Sequence, residues 1–345
     1  MHKTLIASRL MLILIPLALV SLILCVGIGP VSVPPLTVSK IILSKLPRLG
    51  EMIAPDWTNT QHIVIFSTRL PRVLLGFLVG CSLAFSGTAM QSLVRNELAD
   101  PYILGVSYGA ASFATIGIIT GLFSFMGVYQ NAVNGCIGAL LSIIFVFLYS
   151  LNKGRMNVGQ LLLGGIAISM FARAVIRIIA LTNVQVMLHS NSAFWTQGGL
   201  AGARWDYLGW PVLLIVCCFI FLMIHYRSLN AMLCGEETAQ TLGVPVSLMQ
   251  KGMMLVTSVM IGITVSVSGG IGFVGLIAPH VARVLVGGNH RRVFPIGALM
   301  GGIFVLWCDV AARMLFAPEE MSVGIITAII GGPFFLWLLK RQKKT

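Results

Sequence analysis

Residues Leu10 to Ile28 read LMLILIPLALVSLILCVGI and contain no charged side chain. The hydrocarbon core of a bilayer is about 30 Å thick and takes roughly 20 apolar residues per spanning helix, so this run has the length of one crossing. Lys3 and Arg9 precede it, as basic residues also precede the core of a signal peptide, but that core is shorter. We therefore interpret the run as the first transmembrane helix.

Apolar runs of this size recur along the whole chain. Of its 345 residues, 57% are hydrophobic and only 10% are charged, which is less polar surface than a soluble fold requires. The runs are long and lack the period-two alternation of a membrane barrel, so helices are favoured. Residues 1–345 are therefore predicted to form a single all-α integral membrane domain with about ten transmembrane helices. The predicted helices are residues 10–29, 70–93, 102–121, 132–150, 158–181, 208–225, 248–267, 273–287, 295–316 and 323–340.

The formal net charge is +13, with 23 Lys and Arg residues. These cations lie in short loops and not along one helix face, which argues against a nucleic-acid-binding protein. With the N-terminus in the cytoplasm, 14 cations fall inside, 7 fall outside and 2 lie within a helix. Because membrane proteins carry an excess of cations on the cytoplasmic side, both termini are predicted to be cytoplasmic.

Seven short motifs are distributed along the chain. They are Arg69-Leu70-Pro71-Arg72, Met90-Gln91-Ser92-Leu93, Arg95-Asn96-Glu97-Leu98-Ala99-Asp100-Pro101, Leu104-Gly105-Val106-Ser107-Tyr108-Gly109-Ala110, Gly270-Ile271-Gly272-Phe273-Val274-Gly275-Leu276-Ile277-Ala278-Pro279-His280, Asn289-His290-Arg291-Arg292 and Gly331-Gly332-Pro333-Phe334-Phe335. In content, order and spacing they resemble the permeases of the ABC importers for ferric siderophores, haem and vitamin B12, the FecCD-type iron-chelate family. The resemblance covers essentially the whole chain.

This resemblance implies the permease fold of type II ABC importers, in a bacterial cytoplasmic (inner) membrane. It also implies the partners, which are a second permease chain, identical or paralogous, two ATPase subunits and an external substrate-binding protein. The sequence contains no G-x-x-x-x-G-K-[ST] phosphate loop, so ATP and Mg²⁺ are expected on the partner ATPase. We expect no cofactor on this chain and no catalytic residue, because no catalytic motif is present.

A polar segment from Arg227 to Val246 is predicted to lie in the cytoplasm. Glu236 opens a short helical pattern there, where an acid suits the helix N-terminus, and Gly243 and Pro245 then stop the helix. By itself the segment could be a solvated connector or a docking element. In the family that the chain resembles, the matching loop is seated on the ATPase, and we assign Glu236, Leu242 and Gly243 to this coupling.

Arg69, Arg72 and Arg313 lie at predicted external helix ends. Such cations can merely anchor a helix by reaching the interface. The resemblance implies a second function, because permeases of this family use arginines at matching positions to receive glutamates of the binding protein. Asp309 lies one turn before Arg313 and is predicted to hold its side chain.

Arg173 and Arg177 are four residues apart on one face of the predicted fifth helix. An arginine at the bilayer centre costs roughly 2.5 to 3.5 kcal/mol on insertion scales, and intramembrane charges usually face protein or a watery cavity. We predict that both line the substrate path and favour an anionic cargo. A structural position, with the side chain extended to the interface or paired with an acid, is the alternative.

No metal site is expected. His280 has no second His, Cys or carboxylate at metal-ligand spacing beside it, and the seven Cys residues show no C-x-x-C pair.

The predicted function is therefore import of a chelate, with a ferric siderophore first, haem second and cobalamin third. An ion-gradient-driven secondary transporter of a small anionic solute and a non-transporting receptor are the alternatives. The first alternative needs intramembrane acids for ion coupling, and Asp309 is the candidate.

Overall fold

A computed structural model describes residues 2–45, 55–97, 99–100, 105–152, 155–156, 158–183, 194 and 197–342. The α-helices of this part of the chain are His2–Gly27 (α1), Pro35–Leu43 (α2), Asn59–His62 (α3), Leu70–Val94 (α4), Val106–Thr120 (α5), Gln130–Ser150 (α6), Val158–Thr182 (α7), Trp205–Ile224 (α8), Tyr226–Leu233 (α9), Glu236–Thr241 (α10), Val246–Ser268 (α11), Val274–Val286 (α12), His290–Met314 (α13) and Val323–Gln342 (α14). Ile63–Arg69 is a π-helix, Ser124–Tyr129 is a 3₁₀ helix, and Leu151–Asn152 (β1) pairs antiparallel with Arg155–Met156 (β2).

Each of the ten predicted transmembrane segments overlaps one of these helices, so the all-helical architecture is confirmed. In the described residues, seven helical segments are long and apolar enough to cross a membrane, or eight if α8 and α9, which bend by 56°, form one span. Helices α5 and α12 are shorter, with 15 and 13 residues. The prediction of about ten spanning helices is therefore not confirmed at that number, and the cytoplasmic termini stay a prediction.

Helix α4 is the central helix of the bundle. Almost all of its residues from Pro71 to Val94 are buried, and the helix is apolar on every side. Its Phe85 ring lies between the rings of Phe294 from α13 and Phe219 from α8, with centroids 4.2 and 4.1 Å away. A helix that is hydrophobic all round is typical of a buried position, and here other helices of the same chain surround it.

Helices α4 and α13 cross with their backbones in contact at Gly80 and Gly301. A Cβ atom at Gly80 would lie 2.2 Å from the carbonyl oxygen of Gly301, and one at Gly301 would lie 2.5 Å from that of Gly80. Both distances are too short for any side chain, so glycine is required at both positions. Small residues commonly allow such close approach in membranes, so these two glycines serve helix packing.

The chain is irregular and buried between α11 and α12. Gly269 has a φ of +63°, and a Cβ atom there would lie 1.9 Å from the carbonyl oxygen of Phe194. Phe273 also has a positive φ, and its backbone N–H donates to Oδ2 of Asp100 at 3.1 Å. Non-helical backbone at membrane depth is tolerated only where protein or a water-filled cavity surrounds it. This break starts α12 inside the bundle and explains why that helix is short.

Replacing Gly80 by Ala tests the contact between α4 and α13. The added methyl group has no free space beside the Gly301 carbonyl, so we expect the helices to separate at a cost of about 1–3 kcal/mol, as for other overpacked sites. The melting temperature of the detergent-purified protein should fall.

The control is Gly209→Ala in α8, because no atom lies within 4 Å of a Cβ atom at that position. An unchanged or slightly higher melting temperature is expected for the control. Equal melting temperatures for the two variants would contradict the proposed contact.

Candidate functional site

Five charged side chains meet where α4 begins and α13 ends, and we name Arg69, Arg72, Asp309, Arg313 and Glu320 the arginine cluster. The Nε and Nη2 atoms of Arg72 lie 3.0 and 2.9 Å from Oδ1 of Asp309, and its Nη1 donates to Oε2 of Glu320 at 2.8 Å. The side chain of Asp309 is 2% exposed and that of Glu320 is 38% exposed. Arg72 therefore joins a buried acid to an accessible one.

Arg313 completes the buried part of the cluster. Its Nε lies 3.0 Å from Oδ2 of Asp309, one turn earlier in α13, so the predicted pairing of these two residues is confirmed. Its Nη1 and Nη2 donate to the carbonyl oxygens of Ile28 and Cys25 at 2.9 and 3.0 Å. The last carbonyls of a helix have no partner within it, and Arg313 supplies one at the end of α1.

Arg69 binds the same end of α1. Its Nη1 donates to the carbonyl oxygens of Val26 and Gly27 at 3.3 and 3.1 Å, and its Nη2 donates to that of Val31 at 2.6 Å. A cation is also favoured there by the helix dipole. All three arginines are thus buried and bonded within the chain, while docking of a partner to them stays a prediction.

The predicted coupling residue Glu236 lies at the opposite end of α4. Helix α10 begins at Glu236 with two acids in its first turn, as predicted. Oε1 of Glu236 lies 3.1 Å from Nη2 of Arg95, which is the left-handed C-cap of α4, and accepts a hydrogen bond from Gln250 of α11 at 3.1 Å. The short helix is thereby attached to both α4 and α11.

Leu242 and Gly243 follow α10 at the surface. The side chain of Leu242 is 67% exposed, and Gly243 has a φ of +79°, which ends the helix as predicted. A cavity of about 440 Å³ opens beside them, lined by Gln240, residues 244–248 and Lys251. Leu242 thus places an apolar side chain at the surface of a polar segment, next to this cavity.

A polar link that we did not predict lies close to this segment. Oδ1 of Asn230 in α9 accepts from the backbone N–H and from Nδ1 of His290 at 2.9 and 2.7 Å, and the other ring nitrogen of His290 contacts Oγ of Ser92 in α4. The signal was the Asn289-His290 motif, which precedes an apolar helix. Its partner in α9 could not be identified, because α9 itself was not predicted.

Arg173 and Arg177 both lie on the exposed face of α7. Arg173 donates from Nη2 to the hydroxyl of Tyr108 at 2.6 Å, and its guanidinium carbon lies 4.5 Å from the centre of that ring. Within the part of the chain that the structure describes, no hydrogen bond or ion pair holds Arg177. The two arginines are thus brought together on one face, and neither pairs with an acid among the described residues.

His280 contacts an acid of the loop that follows α4. Its Nδ1 lies 3.4 Å from Oε2 of Glu97, and this interaction, followed by the charge of Arg283, holds the pKa of Glu97 below its usual value. Among the described residues no group of three His, Cys, Asp or Glu side chains could hold a metal ion.

The chain is similar to known proteins in both sequence and structure. Residues 17–341 match the sequence profile of the FecCD transport family. The chain is 41% identical over 278 residues to the hemin transport system permease HmuU of Yersinia pestis, covering 80% of this chain and 83% of that protein. It is 38% identical to the cobalamin import system permease BtuC of Halobacterium salinarum, covering 83% of this chain and 75% of that protein.

A solved structure supports the same relationship. A metal-chelate type ABC transporter in an inward-facing conformation superposes with a TM-score of 0.79 at 29% identity, covering 97% of this chain and 99% of that one.

Replacing Asp309 by Asn tests whether the arginine cluster stabilises the fold. The change leaves Arg72 and Arg313 buried without their shared carboxylate, and removing one partner of a buried pair typically costs about 3–5 kcal/mol. We expect a clear fall in melting temperature. The matched control is Asp206→Asn, whose pair with Arg204 is 65% exposed on both sides, so its loss should change little. Equal melting temperatures would contradict a stabilising cluster.

Proposed function

The chain belongs to the FecCD transport family and is a permease subunit of an ABC importer, and on this premise we propose that it carries an anionic iron chelate into the cytoplasm. A ferric siderophore is our first candidate and haem our second. Cobalamin ranks third. The observation that carries the proposed cargo class is the pair of guanidinium groups on the exposed face of α7.

Helix α7 is the least buried of the long apolar helices in the described residues, and its two arginines lie on the exposed face. That face cannot meet lipid without a large cost. A second permease chain, identical or paralogous, would cover it and enclose a path between the two copies. Arg173 and Arg177 would then face this path.

The chemistry of the arginines favours a cargo with carboxylates or catecholates. Guanidinium groups bind such anions through two parallel hydrogen bonds. A hydrogen bond to the hydroxyl of Tyr108 keeps the Arg173 side chain in position. Among the described residues, no hydrogen bond uses the N–H donors of Arg177, so they are available to a cargo. The named relatives transport hemin and cobalamin, so similarity alone does not separate the cargoes, and the charge on α7 is what favours an anion.

Two ATPase subunits are proposed to dock on the exposed segment that follows α10. Leu242 would enter a pocket of the ATPase, and Gly243 would keep the turn close to that surface. The bond from Glu236 to Arg95 then passes movement of α10 to the end of α4. An external substrate-binding protein would deliver the cargo at the opposite end of α4, where the arginine cluster lies. The proposed location is the bacterial inner membrane.

The secondary-transporter alternative gains no support. Its candidate for ion coupling, Asp309, already has both carboxylate oxygens paired with arginines, Oδ1 with Arg72 and Oδ2 with Arg313.

The deciding experiment is uptake by proteoliposomes that contain this permease, the ATPase and the substrate-binding protein of the same importer. We expect accumulation of a ferric siderophore or haem only with ATP on the ATPase side and the binding protein on the other side. Uptake that ignores ATP and follows an imposed ion gradient would contradict the proposal. Binding of all partners without any flux would favour the receptor alternative.

Two variants test where the ATPase docks. Leu242→Ser should release the ATPase during purification, because an exposed apolar anchor is lost. Leu36→Ser is the control, since Leu36 is 71% exposed but lies in α2, far along the chain from the coupling segment. Equal retention of the ATPase by both variants would move the docking site elsewhere.

Replacing both Arg173 and Arg177 by Gln should reduce uptake of an anionic chelate at least about tenfold, since two charge-assisted hydrogen bonds are each worth more than 1 kcal/mol. Assembly with the ATPase should be unchanged. The uptake rate and the ATPase content of the purified complex measure the two effects.

Arg204→Gln is the matched control, because Arg204 is an exposed arginine outside α7. Unchanged uptake by the double variant would remove both arginines from the proposed path. Loss of cobalamin uptake to the same degree would show that the arginines do not select for charge.

A further inference from the structure

We infer that Glu320 occupies on Arg72 the position that a carboxylate of the external binding protein takes when it docks, so that docking displaces a carboxylate of the permease itself. This inference rests on the proposed docking at the arginine cluster. It adds a competing group within the chain, and it makes Glu320 a determinant of how tightly the partner is held.

The three arginines of the cluster are not equivalent. Arg69 and Arg313 donate to backbone carbonyls between Cys25 and Val31, and these bonds close the end of α1. A Cβ atom at Gly29 would lie 2.3 Å from a guanidinium nitrogen of Arg69, so the backbone packs directly on that group. Neither arginine can change its partner without opening the turn after α1.

Arg72 differs because its partners lie on two sides. Nε and Nη2 face Asp309, whose side chain is 2% exposed, while Nη1 faces Glu320, whose side chain is 38% exposed. An incoming carboxylate can reach Nη1 only where Glu320 now lies. The inner pair with Asp309 would stay intact during such an exchange.

Glu320 is held loosely enough to leave. It lies between the end of α13 at Met314 and the start of α14 at Val323, outside any helix or strand, and the hydrogen bond to Arg72 is its one side-chain contact among the described residues. The carboxylate side of this pair is open to solvent, since the Glu320 side chain is 38% exposed, so water can compete with Arg72 for Glu320. A partner that offers a carboxylate and additional contacts can therefore replace it.

The charge of the cluster supports the same conclusion. Three guanidinium groups face two carboxylates while Glu320 is bound, which leaves one net positive charge. When Glu320 swings away, the site presents two. Complementary charge speeds association and fixes orientation, so Glu320 would weaken attraction of acidic surfaces until a matching partner displaces it.

The matched pair Glu320→Ala and Glu319→Ala tests this inference. Both changes remove one acid from the same exposed loop, but Glu319 has no side-chain contact among the described residues. Purified permease–ATPase complex in nanodiscs would be titrated with the substrate-binding protein of the same importer. We expect Glu320→Ala to bind at least about threefold more tightly than Glu319→Ala, mainly through faster association, as is usual for a charge at the edge of an interface.

A second measurement needs no partner. Phenylglyoxal modifies accessible guanidinium groups, and mass spectrometry of the peptide that contains Arg72 reports the rate. We expect faster modification of Arg72 in Glu320→Ala than in Glu319→Ala or the wild type. Equal modification rates of Arg72 in the three proteins would contradict its pairing with Glu320.

Binding of the substrate-binding protein distinguishes failure of the Glu320 inference from failure of the proposed docking. If the wild-type complex binds its partner and both alanine variants bind equally, the inference fails while the proposed docking stands. If the wild type binds no partner at all, the proposed docking fails and the inference with it. In the Arg72→Gln background the gain from Glu320→Ala should vanish, and a persistent gain would contradict competition at Arg72.

Discussion

The backbone contact between α4 and α13 is the constraint on which the rest of the structure depends. At Gly80 and Gly301 the two helices approach so closely that no side chain fits, which fixes their relative height along the bundle. With that height fixed, Arg72 meets Asp309 at one end, and Ser92 meets His290 at the other. Both ends are therefore placed by a crossing in the middle. In lipid, where the hydrophobic effect does not drive helices together, close packing of small residues supplies this attachment.

Asp309 is a carboxylate in a chain with very few acids, and its burial is explained by the two guanidinium groups on either side of it. A buried charge is costly unless it is paired and hydrogen-bonded. Arginine suits this site better than lysine because its planar group can bind a carboxylate and a backbone carbonyl at the same time. Arg313 does so, and it thereby attaches α1 to α13. The cluster holds three helices together before any partner is considered.

The proposed transport function places different demands on the two ends of α4 and on the exposed face of α7. The end with Glu236 and Leu242 combines contacts of Glu236 with Arg95 and Gln250 and an exposed apolar side chain, which suits a docking element that must transmit movement. The end with Arg72 combines a buried pair with an exchangeable one. In addition, α7 exposes two arginines on a face where contact with lipid would be unfavourable. In the proposed function, a second permease chain would cover that face and enclose the two arginines.

The sequence by itself determined the helical membrane class, the family and the short helix that begins at Glu236, because apolar length, motif order and capping residues are local properties. It also indicated that Asp309 holds Arg313, since the two are one turn apart. Only the tertiary structure decided that Arg72 reaches Asp309 and Glu320, and that Asn230 binds His290. These partners are far apart in the chain, and the pattern of apolar residues in the sequence does not indicate which helices become neighbours. The length of α12 depended on the tertiary structure for the same reason, because Asp100, from the connection between α4 and α5, stabilises the break before that helix.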